Sequence, residues 1–169
     1  DSVGAAPARH LVLVGLMGVG KTTVGAVVAE RLGRELVDSD LRIEAMTGRT
    51  VKQILADDGV DQLRRCEAAA LFDALGDDEP HVIAGAGGVV LDPDHRRRLR
   101  EADAFVVWLT ADPALLAPRT ATREHRPWLD DDPLGTLQRM AADRDHLYRE
   151  VADRIVAVDG LTPEQVADL

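Results

Sequence analysis

Residues Gly15-Leu16-Met17-Gly18-Val19-Gly20-Lys21-Thr22 satisfy the pattern G-x-x-x-x-G-K-[ST] at every fixed position. The flanks narrow the choice of fold further. The apolar run at 11–14 reads as a strand leading in, and 23–32 reads as a helix leading out. Strand, glycine loop and helix in that order wrap backbone N–H groups around a polyphosphate, and a Cβ on the glycines would block the approach. Lys21 then reaches the β- and γ-phosphates, the Thr22 hydroxyl holds Mg²⁺, and the positive end of the helix completes the anion site. Nucleotide contacts are therefore expected from Gly15, Gly18, Val19, Gly20, Lys21, Thr22 and Thr23.

The rest of the chain repeats the alternation that such a loop needs. Short apolar runs at 11–14, 35–37, 82–84, 104–109 and 154–157 alternate with helical patterns at 21–32, 40–46, 51–57, 61–75, 93–102, 113–120, 134–151 and 163–169. That rhythm predicts βαβ units and an α/β fold with a parallel sheet. Asp112-Pro113 and Thr162-Pro163 each read as an N-cap followed by proline in the first helical turn. The 169 residues suit one domain, and since only five are Phe, Trp or Tyr the core must be built from Leu, Val, Ile and Ala. Residues 1–9 read as a flexible lead-in without the basic start and apolar centre of a signal peptide. Residues 121–133, polar and lacking either apolar period, read as a mobile loop.

A net charge of −10 argues against nonspecific nucleic-acid binding and against an anionic membrane surface. No apolar run reaches the roughly 18 residues of a membrane-spanning helix. Cys66 is the only cysteine, so no internal disulfide forms, a reducing cytoplasm is expected, and the thiol reads as a small core residue rather than a nucleophile. An acidic chain binds ATP only by concentrating positive charge locally, which makes the position of each arginine informative. The run Arg96-Arg97-Arg98 with Arg100 reads as a solvated helix face.

Two further segments carry chemistry. Asp38-Ser39-Asp40 follows the second strand, where the carboxyl ends of a parallel sheet open into the ligand cleft. One carboxylate there can join a Mg²⁺ shell while the other hydrogen-bonds, or deprotonates, an acceptor hydroxyl; the same residues also suit a helix cap. Ala84-Gly85-Ala86-Gly87-Gly88 follows the third strand, and such small residues serve either close approach of a ligand or a tight connection.

With these elements in order, the chain from about residue 11 onward resembles the shikimate kinase family. That resemblance rests on the full phosphate loop, Asp38-Ser39-Asp40, the segment Gly59-Val60-Asp61-Gln62-Leu63-Arg64-Arg65-Cys66-Glu67 and the glycines after the third strand. It rests also on the lid sequence Arg126-Pro127-Trp128-Leu129, and on Arg144 ahead of Leu147-Tyr148. The resemblance implies a three-layer αβα P-loop NTPase fold, a five-stranded parallel sheet of order 2-3-1-4-5, and a mobile lid at about 121–133. It implies Mg²⁺-dependent transfer of the ATP γ-phosphoryl group to shikimate, by a cytoplasmic monomer that takes part in aromatic amino acid biosynthesis and has no nucleic-acid or membrane partner.

Position by position, Lys21, Asp40 and Arg126 would be catalytic, with Asp40 placing the acceptor oxygen and Arg126 swinging over the γ-phosphate. Thr22 and Asp38 would support Mg²⁺, and Arg119 would lie against adenine. Arg64 and Arg144 would grip the substrate carboxylate, with Glu67 orienting Arg64 and with Gly87 and Gly88 alongside. The chain departs from the family pattern at Leu55 and Leu63 (usually Phe), at Val60 (commonly Glu) and at Ala86 (first of three glycines). All four departures are expected at the acceptor wall. They motivate the alternatives of a paralogue acting on a related ring acid or cyclitol and, in another class, a noncatalytic nucleotide-binding regulator.

Overall fold

A computed structural model of the protein describes residues 9–120 and 132–169. In chain order the elements are β1 (His10–Val14), α1 (Lys21–Leu32), β2 (Leu36–Asp38), α2 (Ser39–Thr47), α3 (Val51–Asp58), α4 (Val60–Leu75) and β3 (Val82–Ala84). A 3₁₀ turn (Gly87–Leu91) follows, then α5 (Pro93–Glu101), β4 (Ala104–Thr110), α6 (Pro113–Thr120), α7 (Pro133–Val151), β5 (Arg154–Ala157) and α8 (Pro163–Ala167). All five strands are parallel, in the order β2-β3-β1-β4-β5 expected above.

β1 lies at the centre, with Leu11 opposite Val82 of β3 and Val14 opposite Trp108 of β4. Helices cover both faces of such a sheet, so its central strands are apolar on both sides rather than alternating. Val12, Leu13 and Val14 are accordingly all buried, as are Val82, Ile83, Val106 and Leu109. A second, smaller cluster of Ile43, Ile54, Leu63 and Ala70 binds α2, α3 and α4 together. Half-buried Cys66 packs against it, in keeping with a small core residue.

Helix starts follow the capping residues. Asp112 accepts the Ala114 N–H at 2.9 Å, and Thr162 forms a reciprocal box with Gln165 ahead of Pro163. Asp132 caps α7 through the Gly135 N–H at 3.0 Å, so residues 132–133 belong to that helix rather than to a loop. The remainder of the expected lid, 121–131, lies outside the described residues, as do residues 1–8 of the lead-in. Arg9 is tied down, its carbonyl accepting from Arg34 at 2.6 Å and its guanidinium standing 5.5 Å from the Phe105 ring.

Of the α5 arginines expected on a solvated face, Arg96 is the exception. Arg96 donates to Glu150 on α7 at 2.8 Å and to the Val90 carbonyl at 2.8 Å, and Arg100 joins it on Glu150. Arg98 stands 3.7 Å from the Phe72 ring centre. Arg96 is drawn inward by the 3₁₀ turn, whose last carbonyls need donors that a neighbouring helix can supply. Arg97, Arg98 and Arg100 are exposed as expected, Arg97 pairing with Asp94 and Glu101. Among the described residues no helix is long and apolar enough to cross a membrane.

Candidate active site

The phosphate loop runs from the end of β1 to the start of α1, and Gly15 shows why side chains are excluded from it. Its φ is +147°, and a Cβ there would stand 2.4 Å from the Leu109 carbonyl oxygen of β4. Lys21 folds back over the loop and donates to the Gly15 and Leu16 carbonyls at 2.7 and 3.1 Å. The Thr22 hydroxyl donates to Asp38 Oδ2 at 2.9 Å, which joins the loop to the end of β2. The other oxygen of Asp38 accepts the N–H groups of Asp40 and Leu41 at 2.9 and 3.3 Å. Capping and a place beside the loop are therefore not alternatives for Asp38: one carboxylate does both. Asp40, exposed in the first turn of α2, lines the same cleft.

Across the cleft α4 supplies Arg64 and Glu67, three residues apart and thus on one helix face, with Arg64 Nη1 2.9 Å from Glu67 Oε1. Glu67 is buried, and burial pushes its carboxyl above the usual range; Arg64 opposes that shift, Asp40 adds to it and Arg144 opposes it. The Arg64 guanidinium lies flat against the 3₁₀ turn. A Cβ on Gly88 would sit 2.1 Å from its Nη1 and 2.4 Å from its Cζ, so this glycine is what lets the arginine lie there. On α7, Arg144 is buried and approaches from the other side. A Cβ on Gly87 would be 3.7 Å from Arg144 Nη1, 3.5 Å from Tyr148 Oη and 3.1 Å from the Gly15 carbonyl. Lys21, Thr22, Asp38, Asp40, Arg64, Glu67, Gly87, Gly88 and Arg144 thus surround one cleft of about 110 Å³.

The acceptor wall corrects part of the expectation from sequence. Ala86 and Leu63 do line the cleft, joined by Met17 and Val51, which sequence reasoning had not singled out. Leu55 does not, being half-buried against the second cluster that contains Ile54. Val60 does not either, being 46% exposed at the outer start of α4. Ala86 has φ −70° and ψ 142°, which any residue adopts, so its methyl is accommodated without strain.

A second cleft adjoins the loop on the far side of α1. Gly18, Val19, Gly20 and Thr23 form its floor, Arg119 one wall, and Val158 with Pro163 the other. Arg119 reaches the loop, donating to the Gly18 carbonyl at 3.3 Å. Val158 and Leu161 were not singled out from sequence, and Pro163 was read only as the first helical turn after Thr162; the signal missed was a short β5–α8 connection at the carboxyl edge of the sheet. Arg126 lies outside the described residues.

A parallel sheet of this order, a Gly-Lys-Thr loop after its first strand, a carboxylate after its second and two guanidiniums facing them define a P-loop phosphotransferase for a small anionic acceptor. The shikimate kinase family model matches residues 17–169. A shikimate kinase from Symbiobacterium thermophilum is 44% identical over 153 residues, covering 89% of this chain and 87% of that one. One from Dechloromonas aromatica is 43% identical over 153 residues, covering 90% of this chain and 81% of that one. The solved shikimate kinase from Acinetobacter baumannii in complex with shikimate superposes with a TM-score of 0.91 at 34% identity, covering 99% of this chain and 93% of that chain. The chain belongs to the shikimate kinase family. It is an ATP-dependent phosphotransferase with an alcohol group as acceptor.

Proposed function

We propose that this chain transfers the γ-phosphoryl group of ATP to a ring hydroxyl of shikimate, giving shikimate 3-phosphate and ADP, as one domain spanning the chain. The observation that carries the reading is the placement of Arg64 and Arg144 against Gly88 and Gly87, in one cleft with Asp40 and the phosphate loop. Two guanidinium forks suit a carboxylate, because each donates charge-assisted hydrogen bonds in a fixed plane. A ring acid held by its carboxylate at that end turns a hydroxyl toward Asp40. Asp40 aligns this oxygen and takes its proton as the P–O bond forms. Lys21 neutralises charge on the phosphates; Arg126, from the lid segment, does so at the γ-phosphate. Transfer of this kind depends on alignment and charge neutralisation more than on covalent chemistry. Arg119 and Pro163 border the cleft that accepts adenine.

The Thr22 hydroxyl and Asp38 carboxylate, 2.9 Å apart, fit a Mg²⁺ site in which Thr22 would hold the ion and Asp38 would support it through water. When bound, that ion neutralises β- and γ-phosphate charge. The protein is proposed to act as a cytoplasmic monomer without nucleic-acid or membrane partners, in line with its net charge of −10.

A second reading, phosphorylation of a related hydroxylated ring acid, draws on Leu63 and Ala86 in the acceptor wall. Steady-state ADP release with ATP, Mg²⁺ and a panel of ring acids decides between them. Turnover of shikimate ahead of the other acids is expected. ATP binding with no turnover of any acid would sink both readings and leave a noncatalytic nucleotide binder.

A further inference from the structure

Tyr148 is the only tyrosine in the chain and is fully buried, yet the fold needs only its ring. That ring stacks on Trp108, the centroids 5.7 Å apart, and a phenylalanine would fill the same space. The phenol oxygen makes a contact that phenylalanine could not. It donates to the Gly87 carbonyl at 2.6 Å, spanning from α7 to the 3₁₀ turn. Arg144 lies four residues earlier on α7, on the same helix face. The turn is held to α7 at its other end as well, because Arg96 joins the Val90 carbonyl to Glu150. The two clamps flank the stretch containing Gly88, against which Arg64 lies.

We infer that Tyr148 is a positioning residue of the acceptor site: by holding the Gly87 carbonyl, its hydroxyl fixes α7 against the diglycine turn and so sets where Arg144 meets the acceptor carboxylate. This rests on the acceptor reading above. A Cβ on Gly87 would stand 3.1 Å from the Gly15 carbonyl, so the turn also borders the phosphate loop; Arg144 faces the acceptor side, and the hydroxyl is expected to act on the acceptor more than on the nucleotide.

The test is Tyr148→Phe, which keeps the ring and removes the oxygen, with KM measured for both substrates. Losing one buried hydrogen bond at the site is expected to raise the acceptor KM about tenfold, equivalent to about 1.4 kcal/mol, while the ATP KM stays within about twofold. In an Arg144→Lys background the same change should raise the acceptor KM less than about threefold, because the two residues act together. An unchanged acceptor KM, an equal rise in both KM values, or full additivity with Arg144→Lys overturns the inference.

Wild-type turnover of shikimate decides the acceptor reading by itself. Should shikimate fail, the variant-to-wild-type ratio is taken on whichever ring acid the wild type phosphorylates; with no acceptor at all, both proposals fall. If Tyr148→Phe does not fold, wild-type protein labelled with 3-fluorotyrosine gives a single ¹⁹F resonance. It should shift on adding acceptor and not on adding ADP, and a resonance silent to the acceptor overturns the inference equally.

Discussion

Replacing Gly88 by alanine separates the acceptor site from the nucleotide site with a single methyl group. The added Cβ would stand 2.1 Å from Arg64 Nη1 and 2.4 Å from Cζ, whereas ordinary contact begins near 3.4 Å, so the guanidinium must retreat by about 1 Å or more. Its 2.9 Å bond to Glu67 has only about 0.3 Å of slack before it ceases to be a good hydrogen bond. Arg64 therefore leaves both Glu67 and its place over the turn. The fold should tolerate this, since the displaced atoms end a flexible side chain and Glu67, already pushed toward its protonated form by burial, can take a proton.

We expect a stability loss of about 1 kcal/mol, or about 2–4 °C in Tm for a chain of this size. Misplacing a positioning group by 1 Å costs about 100-fold, or about 2.7 kcal/mol of transition-state stabilisation. Coupled ADP-release kinetics should therefore show kcat/KM for shikimate down about 100-fold, with the ATP KM within about twofold. Ala86→Gly is the control, expected to change acceptor kcat/KM less than about threefold because Ala86 already occupies ordinary extended backbone. Retention of full acceptor kcat/KM by Gly88→Ala, or an equal loss of ATP affinity, would refute the placement of Arg64.

Asp40→Asn and Arg126→Ala should each abolish transfer yet leave ATP affinity, measured by calorimetry, largely intact; a matching loss of affinity would contradict their assignment to transfer. Asp38→Asn separates the two roles of that carboxylate. Asn caps a helix about as well as Asp, so Tm should move less than about 2 °C. Half-saturating Mg²⁺ should meanwhile rise about tenfold, as expected when a charged group contributing about 1.4 kcal/mol is lost. Burial holds the Tyr148 phenol up at about 12 against an ordinary value of 10.0, opposed by the charges of Arg144 and Arg64. Since the folded value is the raised one, its contribution to stability is fully present below pH 10 and lost as pH climbs toward 12. Urea unfolding of the wild type should thus weaken over that window by up to about 1.4 kcal/mol per pH unit more than that of Tyr148→Phe; parallel slopes would refute the burial effect.

What the sequence made legible was local. The phosphate loop is contiguous, its glycines answer to backbone geometry, and its strand and helix adjoin it. Caps such as Thr162 and Asp112 act within three residues, so helix starts could be placed from them. The pairing of Arg64 with Glu67, implied by the resemblance, agreed with their spacing of three along a helix. The 3₁₀ turn was not legible, because what stabilises Gly87–Leu91 comes from Tyr148 and Arg96, outside the turn itself. The role of Arg96 was hidden for the same reason: its partners are the turn's carbonyls and Glu150 on a distant helix. Leu55 and Val60 were expected at the acceptor wall from the family resemblance alone, which matches positions and not packing; neither lines the cleft, Leu55 packing beside the second cluster and Val60 standing exposed.

An acidic chain that binds ATP and an acid must concentrate cations at its ligands, and the surface ion pairs engage arginines elsewhere. Arg42 is held between Asp73 and Asp77, Arg49 pairs with Asp58, and Arg96 and Arg100 share Glu150, all away from the cleft. Exposed pairs of this kind add little stability. Their effect is to engage the surface arginines with carboxylates and leave an acidic exterior. Within the cleft Lys21, Arg64 and Arg144 stand with Asp38, Asp40 and Glu67, and burial raises the pKa of the Glu67 carboxyl, which touches Arg64. Glu67 thus orients the guanidinium, which stands in the cleft with Arg144 and Lys21 for an incoming carboxylate. The partial burial of these cations predicts that acceptor capture weakens with salt less than exposed ion pairing does.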